Sequence, residues 1–483
     1  MKILLTHSYF LRFDPKQWKI AQPYAPLATL YAAALLRTQG HEVRLFDPMF
    51  SRSAAEIKPC LDHFKPERLL IWDDGFNYLT KMCLTNMREA AFEMIAMAKA
   101  SGCKVYVSSS DSTDHAANYL AHGADAIITG EGEGTILELL KENNANDECL
   151  PSIKGIAYLE NGKLIQNQKR EVMQELDRLP PPAWDLADIP SYKKMWMHHH
   201  GYFSMNLATT RGCPFKCNWC AKPIYGNRYN SHSPAYIIKE IKKLNEQYGA
   251  QHIWFCDDIF GLRPGWVKQF AELVKKEKLD FRFKIQSRVD LLLEDETVAD
   301  LAKAGCETVW LGAESGSQKI LDAMDKGTKV EQIYAATKKL KEHKIKPAFF
   351  IQFGYPGETK EDISKTLGML SDLLPDDIGI SISYPLPGTA FYEQVKHELT
   401  EKANWKDSDE LALLFRNTYS PEFYKQLHRY VHRHYRKKQS LRTLADLLRD
   451  PASASFSRIR RSFSFLVHTP AAFFEKQKLD KLN

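Results

Sequence analysis

Met205-Asn-Leu-Ala-Thr209, running through Thr210-Arg-Gly into Cys213-Pro-Phe-Lys-Cys217-Asn-Trp-Cys220, is the stretch on which the reading of the fold turns. Its first five residues read as a strand, and three cysteines follow it within eight residues. Thiolates are the usual ligands of iron–sulfur clusters. A CxxxCxxC spacing lets three thiolates take three irons of a cubane and leaves the fourth iron open. An open iron can bind a substrate, whereas a fully ligated cluster only passes electrons. The competing reading is a structural zinc site, which needs four ligands. No second CxxC occurs, and His198, His199 and His200 are the nearby residues that offer a fourth donor. The histidine triplet itself reads as plain linker.

Outward from the cysteines, further apolar runs at His252–Cys256, Phe281–Gln286, Thr308–Gly312, Ala348–Phe353 and Gly379–Tyr384 alternate with helix-length segments. Six strands joined by helices predict a partial (β/α)6 TIM-type barrel over residues 201–400, with its chemistry at the carboxyl ends of the strands. Upstream, strands are expected at Lys2–Thr6, Glu42–Phe46, Arg68–Trp72, Lys104–Val107 and Ala124–Ile128. Helical patterns near Pro26–Gln39, Arg52–His63, Asn86–Ala100, Thr113–His122 and Gly134–Glu142 alternate with them. The class is therefore α/β, with a doubly wound, Rossmann-like parallel sheet over residues 1–150. Ligands of such sheets bind beyond the carboxyl ends of the strands. Those ends are Thr6-His7-Ser8, Asp47-Pro48, Asp73-Asp74-Gly75, Ser108-Ser109-Ser110 and Thr129-Gly130-Glu131, small and polar enough for a large hydrogen-bonding ligand. Residues 151–200 read as a connector, with a hairpin turning at Asn161-Gly162 and an extended Pro180-Pro181-Pro182 linker. Past Thr400, residues 401–483 read as helical only.

Composition narrows the classes. The 483 residues are 44% apolar and 26% charged, ordinary for a soluble globular chain of two or three domains. The opening MKILLTHSYF is too short an apolar run for a secretory signal, and no stretch reaches the roughly 18 apolar residues of a membrane span. Nine cysteines, mostly inside strands and helices, predict a reducing cytoplasm. Cys256 and Cys306 read as buried strand residues. The net charge of +6 is unevenly spread: from Pro421 onward there are 14 Lys and Arg against 5 Asp and Glu, and the rest of the chain is slightly acidic.

The cysteine motif resembles the signature of the radical S-adenosylmethionine (radical SAM) superfamily. The likeness continues in Phe255-Cys-Asp257-Asp258-Ile-Phe260, Gln286-Ser-Arg288-Val-Asp290, Gly312-Ala-Glu314-Ser-Gly-Ser and Phe353-Gly-Tyr-Pro-Gly-Glu-Thr, in the family's order. It implies a [4Fe–4S] cluster on Cys213, Cys217 and Cys220. The reduced cluster would split S-adenosylmethionine into methionine and a 5′-deoxyadenosyl radical that takes hydrogen from an unactivated carbon. Trp219 and Gly354 are expected beside the S-adenosylmethionine, with Asp257 and Asp258 near its ammonium. Arg288 is expected on its carboxylate, through the planar fork of the guanidinium. Glu314 is expected on the ribose hydroxyls.

A doubly wound domain ahead of the barrel resembles the cobalamin-binding subfamily. The run from Pro26 to Asp47 looks like its first helix and second strand, and Ala124 to Glu133 like its last strand and turn. Thr6, Ser8, Ser108, Ser109, Gly130 and Glu131 are the expected cobalamin contacts. No DxHxxG is present, so no histidine is expected on cobalt, and the Ser108-Ser-Ser-Asp-Ser-Thr loop departs from the glycine- and histidine-containing form of the subfamily. The resemblance implies C-methylation, with a cyclase, oxidase or ring-rearranging enzyme as the alternative. An iron–sulfur electron carrier or binding protein is the alternative outside enzymes. A small reduced electron donor such as flavodoxin or ferredoxin is the implied protein partner.

In the tail, Phe423, Tyr424, Leu427, Tyr430, Val431 and Tyr435 recur at helical spacing between Lys425, Arg429, Arg433 and Arg436. Such a helix either caps the barrel or lies on an anionic membrane. The second reading suits a lipid or isoprenoid substrate and a peripheral location. Nucleic acid is not expected, because no recognised module accompanies the charge.

Overall fold

The computed structural model describes residues 1–141, 150–222, 224–294, 296–399 and 402–482. The expectation at Glu142 and the boundary drawn between residues 400 and 401 lie outside them. The chain is α/β, with a parallel sheet, a curled half-barrel and a helical carboxyl-terminal region.

The first sheet holds β1 (Lys2–Thr6), β2 (Glu42–Phe46), β3 (Arg68–Trp72), β4 (Lys104–Ser108), β5 (Ala126–Ile128), β6 (Ile156–Glu160) and β7 (Lys163–Gln166), in the order β2-β1-β3-β4-β5-β6-β7. The first five are parallel and the last two antiparallel. The central strands are apolar runs because both of their faces are covered. Leu4, Leu5, Leu69 and Leu70 are buried. Helix α1 (Leu27–Thr38) is apolar nearly all round because it is enclosed on nearly every side. Chain order reverses between β1 and β3, where a doubly wound sheet opens its crevice.

Three expectations need correction here. The hairpin at Asn161-Gly162 is not a connector: β6 pairs with β5 and extends the first sheet. A turn signal shows that two strands join each other and says nothing about which edge they complete. The histidine triplet is not linker either. It is the last turn of α3 (Ile189–His200), which is capped by the Asp188 side chain, carries Pro190 in its first turn and buries Trp196. Finally, the region past residue 400 does not start as helix. Residues 402–420 run irregularly back over the first domain, with Trp405 buried and its carbonyl accepting from Thr85 N at 2.9 Å.

The second sheet is parallel: β8 (Ser204–Leu207), β11 (His252–Phe255), β12 (Arg282–Ser287), β13 (Cys306–Glu314), β14 (Lys346–Phe353) and β15 (Asp377–Ile382), side by side in chain order. A two-residue ribbon of β9 (Thr210–Arg211) and β10 (Asn230–Ser231) follows β8. The tail forms α4 (Pro421–Arg449), α5 (Phe456–Phe463) and α6 (Phe465–Asp480). Phe423, Tyr424, Leu427, Val431 and Tyr435 of α4 are buried, and Tyr435 donates to the Pro375 carbonyl at 2.7 Å. The stripe read from the sequence therefore caps the barrel and is not available to a membrane.

Candidate functional site

The cysteines sit on the loop between β9 and β10, at the carboxyl end of the first barrel strand. Gly212 closes the base of that loop with φ +78°, and a Cβ there would lie 2.4 Å from the Arg228 carbonyl, so only glycine lets the two strands meet. The loop is tied down from several barrel strands. Asn218 N donates to the Met324 carbonyl at 3.1 Å, its side-chain amide donates to the Ala323 carbonyl at 2.7 Å, and Tyr355 donates to its Oδ1 at 2.9 Å. The Arg288 guanidinium lies 3.8 Å from the centre of the Phe215 ring. Cys213 is buried, Cys217 and Cys220 are half-buried, and all three are free thiols.

Burial raises the Cys213 thiol above its ordinary value and pushes Cys220 up to about 12, against the pull of Lys222 on both. Such sulfurs stay protonated alone and lose the proton to a coordinating metal. Among the described residues no three His, Cys, Asp or Glu side chains converge on one point, as a single ion requires. Three ligands to three different irons need no such convergence, so the donor set fits a cubane.

Three lysines surround the loop. Lys81, from the short helix Tyr78–Lys81 of the first domain, reaches Asp258 Oδ1 at 2.6 Å beside Cys220. Lys222 donates to the Phe215 carbonyl. Lys326 donates to Glu314 Oε1 at 2.7 Å and lies 5.8 Å from the Trp219 ring centre. None of the three was singled out in the sequence. Lys222 stands two residues past the last cysteine, which is a signal of sorts. Lys81 is more than a hundred residues upstream, and only the fold brings it there.

The expected S-adenosylmethionine contacts divide. Asp258 faces the cysteines, and the buried Trp219 Nε1 has no partner among the described residues. Asp257 is committed elsewhere: it accepts from Thr209 N at 2.6 Å and Thr210 N at 2.8 Å, tying β11 to the β8–β9 turn. Arg288 spends its nitrogens on Asp290 and on the Lys326 and Gly327 carbonyls. It thus holds the loop together instead of offering an open fork. Glu314 adopts φ +56°, a strained left-handed conformation for a non-glycine residue at the end of β13. Gly354 donates to Glu358 at 2.7 Å and accepts from Asn417 at 2.6 Å. A Cβ there would meet Tyr424 at 3.4 Å, which sets this glycine under α4.

At the first sheet, Trp72, Gly75, Ser108, Ser109, Ser110 and Gly132 line a narrow cleft, opposite Ile224 and Tyr225 of the cysteine loop. A second narrow cleft is lined by Ser8, Asp73, Arg88, Asp111 and Tyr119 among others. Among the described residues no histidine lines either one, and His7 is bound to Asp47 at 3.0 Å. Small hydroxyls and glycines at the strand ends suit a polar ligand such as cobalamin. Gly130, at φ +71°, brings its backbone close to the Ile224 carbonyl. Two expected contacts do not suit it. Thr6 is turned inward onto the His7 carbonyl, and Glu131 is engaged by Arg211 and by Met173 N.

Residues 207–370 match the radical SAM superfamily. The chain carries a radical SAM domain over that span. The radical SAM fold implies a [4Fe–4S] cluster and S-adenosylmethionine. An uncharacterized methyltransferase of Pyrococcus horikoshii is 33% identical over 284 residues, 58% of this chain and 60% of the relative. An anaerobic magnesium-protoporphyrin IX monomethyl ester cyclase of Rubrivivax gelatinosus is 29% identical over 56% of this chain and 49% of its own length. The chain thus spans about half to three-fifths of these relatives. A hopanoid C-3 methylase of Methylococcus capsulatus is 23% identical over 88% of this chain and 79% of its own. In fold, the chain is similar to the cobalamin-dependent S-adenosylmethionine radical enzyme OxsB, with a TM-score of 0.76 at 16% identity over 98% of this chain and 72% of that one. It is also similar to the radical S-adenosylmethionine methyltransferase TsrM of Kitasatospora setae, with a TM-score of 0.66 at 19% identity over 82% and 74%.

Proposed function

We propose that this radical SAM chain is a cobalamin-dependent C-methyltransferase acting on an unactivated carbon of a lipid or isoprenoid-type substrate. The observation that carries the proposal is the cysteine loop, ringed by Lys81, Lys222 and Lys326 and facing the cleft at the carboxyl ends of β3 and β4. When bound, the cubane on Cys213, Cys217 and Cys220 supplies the electron that cleaves the sulfonium, and cobalamin in the facing cleft supplies methyl-group transfer. The chain's own part is electrostatic and steric. The lysines offset the negative charge of the thiolates and of the S-adenosylmethionine carboxylate. Trp219 Nε1 is left to a ligand by the described residues, Asp258 faces the loop from its pair with Lys81, and Ser108 and Ser109 offer hydroxyls to a corrin amide. Buried Trp72 and Tyr225 keep bulk water from the cleft between them.

The lipid class draws support from the hopanoid C-3 methylase, the relative aligned over most of the chain. The cyclase relatives favour a second reading, ring closure without methyl transfer. A small reduced electron donor such as flavodoxin or ferredoxin completes either cycle.

The test is anaerobic reconstitution with iron, sulfide, S-adenosylmethionine and cobalamin, followed by mass detection of 5′-deoxyadenosine and the visible spectrum of retained cobalamin. Changing any one of Cys213, Cys217 and Cys220 to Ala is expected to abolish cleavage and cluster absorbance together. Cleavage without retained cobalamin discards methyl transfer. Absence of cleavage with a full cluster leaves an electron carrier.

A further inference from the structure

Helix α5 is turned the opposite way from a helix that packs on a core. Phe456, Ile459 and Phe463, at i, i+3 and i+7, form its apolar arc, and they face solvent, Phe456 with 82% of its surface exposed. Ser462, on the other side, is buried, and Ser464 just beyond the helix is bound to Ser440 of α4 at 2.7 Å. Helix α6 repeats the arrangement. Ala472 and Leu479 face inward, Gln426 of α4 donates to the Glu475 carbonyl at 2.9 Å, and Leu466, Val467, Phe473 and Phe474 share the outer face, each about 60% exposed. Two helices in succession therefore present apolar faces that the described residues leave uncovered, beyond the scattered exposure usual on a monomer.

The surroundings of this face indicate its occupant. Arg460 borders the arc of α5, Lys476 and Lys478 border that of α6, and the segment from Pro421 carries 14 Lys and Arg against 5 Asp and Glu. An apolar arc edged by cations is complementary to acyl chains beneath anionic headgroups. Among the described residues no helix is long and apolar enough to cross a membrane, so the fit is to lying on one.

We infer that the outer faces of α5 and α6 dock this chain on an anionic lipid bilayer. Phe456, Phe463, Phe473 and Phe474 insert, while the flanking Arg and Lys meet the headgroups. The inference deepens the lipid-substrate reading and rests on it for its purpose, though not for its test. Full-length protein is sedimented with vesicles of phosphatidylcholine alone, or of equal parts phosphatidylcholine and phosphatidylglycerol. The expected result is capture by the anionic vesicles that weakens with added salt and falls about tenfold or more in the variant F456S/F463S/F473S/F474S. The variant's thermal midpoint and its cleavage of S-adenosylmethionine without lipid stay as in the parent. Wild-type protein left in the supernatant with both vesicle types overturns the inference. So does a concentration-dependent dimer, seen by light scattering, that the same variant dissolves, since a second copy then covers the face. Loss of S-adenosylmethionine cleavage with intact vesicle capture counts against the enzyme reading alone.

Discussion

Arg211 stands two residues before Cys213 and is buried with one guanidinium nitrogen on Glu131 and the other on Glu133 at 2.7 Å, while Tyr31, Phe76 and Tyr225 surround its flat faces. Burial raises the Glu131 carboxyl above its usual range despite the guanidinium, so the triad holds together only as a set. Arg211→Met is expected to cost about 3–5 kcal/mol, because it leaves two carboxylates buried without a cation. Adding Glu131→Gln and Glu133→Gln to that variant should return part of the loss; urea midpoints of the single and triple variants measure both effects. Nearer the cysteines, Lys81 and Asp258 form a pair whose two charges act oppositely on a cluster. Lys81→Met leaves the Asp258 carboxylate unopposed and should lower the reduction potential of the reconstituted cluster. Asp258→Asn should raise it. An EPR-monitored redox titration reads the sign, and equal potentials in both variants would mean that the pair lies too far from the irons to matter.

At the scale of elements, His232 joins three of them. Its backbone N–H donates to the Thr209 carbonyl at 2.8 Å, its Nδ1 meets Asp177 of the connector at 3.0 Å, and its carbonyl accepts from Trp266 at 2.8 Å. Burial lowers the imidazole to about 4, with Asp177 opposing and Arg211 assisting. A histidine held neutral in the fold but free to protonate when unfolded contributes its full stability above about pH 6.5. That contribution drains away as pH falls toward 4, by up to about 3 kcal/mol. His232→Gln should therefore flatten the fall of the urea midpoint between about pH 6.5 and 4. A parallel pair of curves would show that other groups carry the acid sensitivity. The parts of the fold legible in the sequence were likewise elements. β1 and β3 stand where the apolar runs put them, since a central strand buried on both faces has one length that fits its run. α3 was hidden because three histidines look polar, although Asp188 and Pro190 mark its start. Of the candidate site, the cysteine loop was legible because its three thiols are close in sequence. The partners of Glu131 and Asp257 within the protein were not legible, because strand-end position does not reveal which side chains pair with each other.

On the scale of the whole molecule, the same pairing joins the two α/β units into one. Asn206 of β8 donates to the Ala25 carbonyl at 3.0 Å, Trp196 of α3 to Pro23 at 2.7 Å, and Tyr384 to Met82 at 3.0 Å. Ser408 N donates to Asp14 at 3.0 Å, so the segment after the barrel also returns to the first domain. A single buried apolar cluster includes Leu5 and Ile128 of the first sheet, Leu207 and Phe255 of the second, and Tyr424 of α4. Chains of this length commonly unfold in steps, because interfaces between their domains resemble weak, polar contacts. Here the interface is core, and the segment from Trp405 to Ser408 is bonded back across it to the first domain. Unfolding is therefore expected as one transition, with far-UV circular dichroism and tryptophan fluorescence giving coincident urea curves. A fragment ending at Asp188 should be recovered aggregated, because it leaves Ala25, Tyr31 and Phe76 without their cover from the barrel. Two separated transitions, or a soluble and cooperatively folded fragment, would show instead that the first sheet is an independent unit.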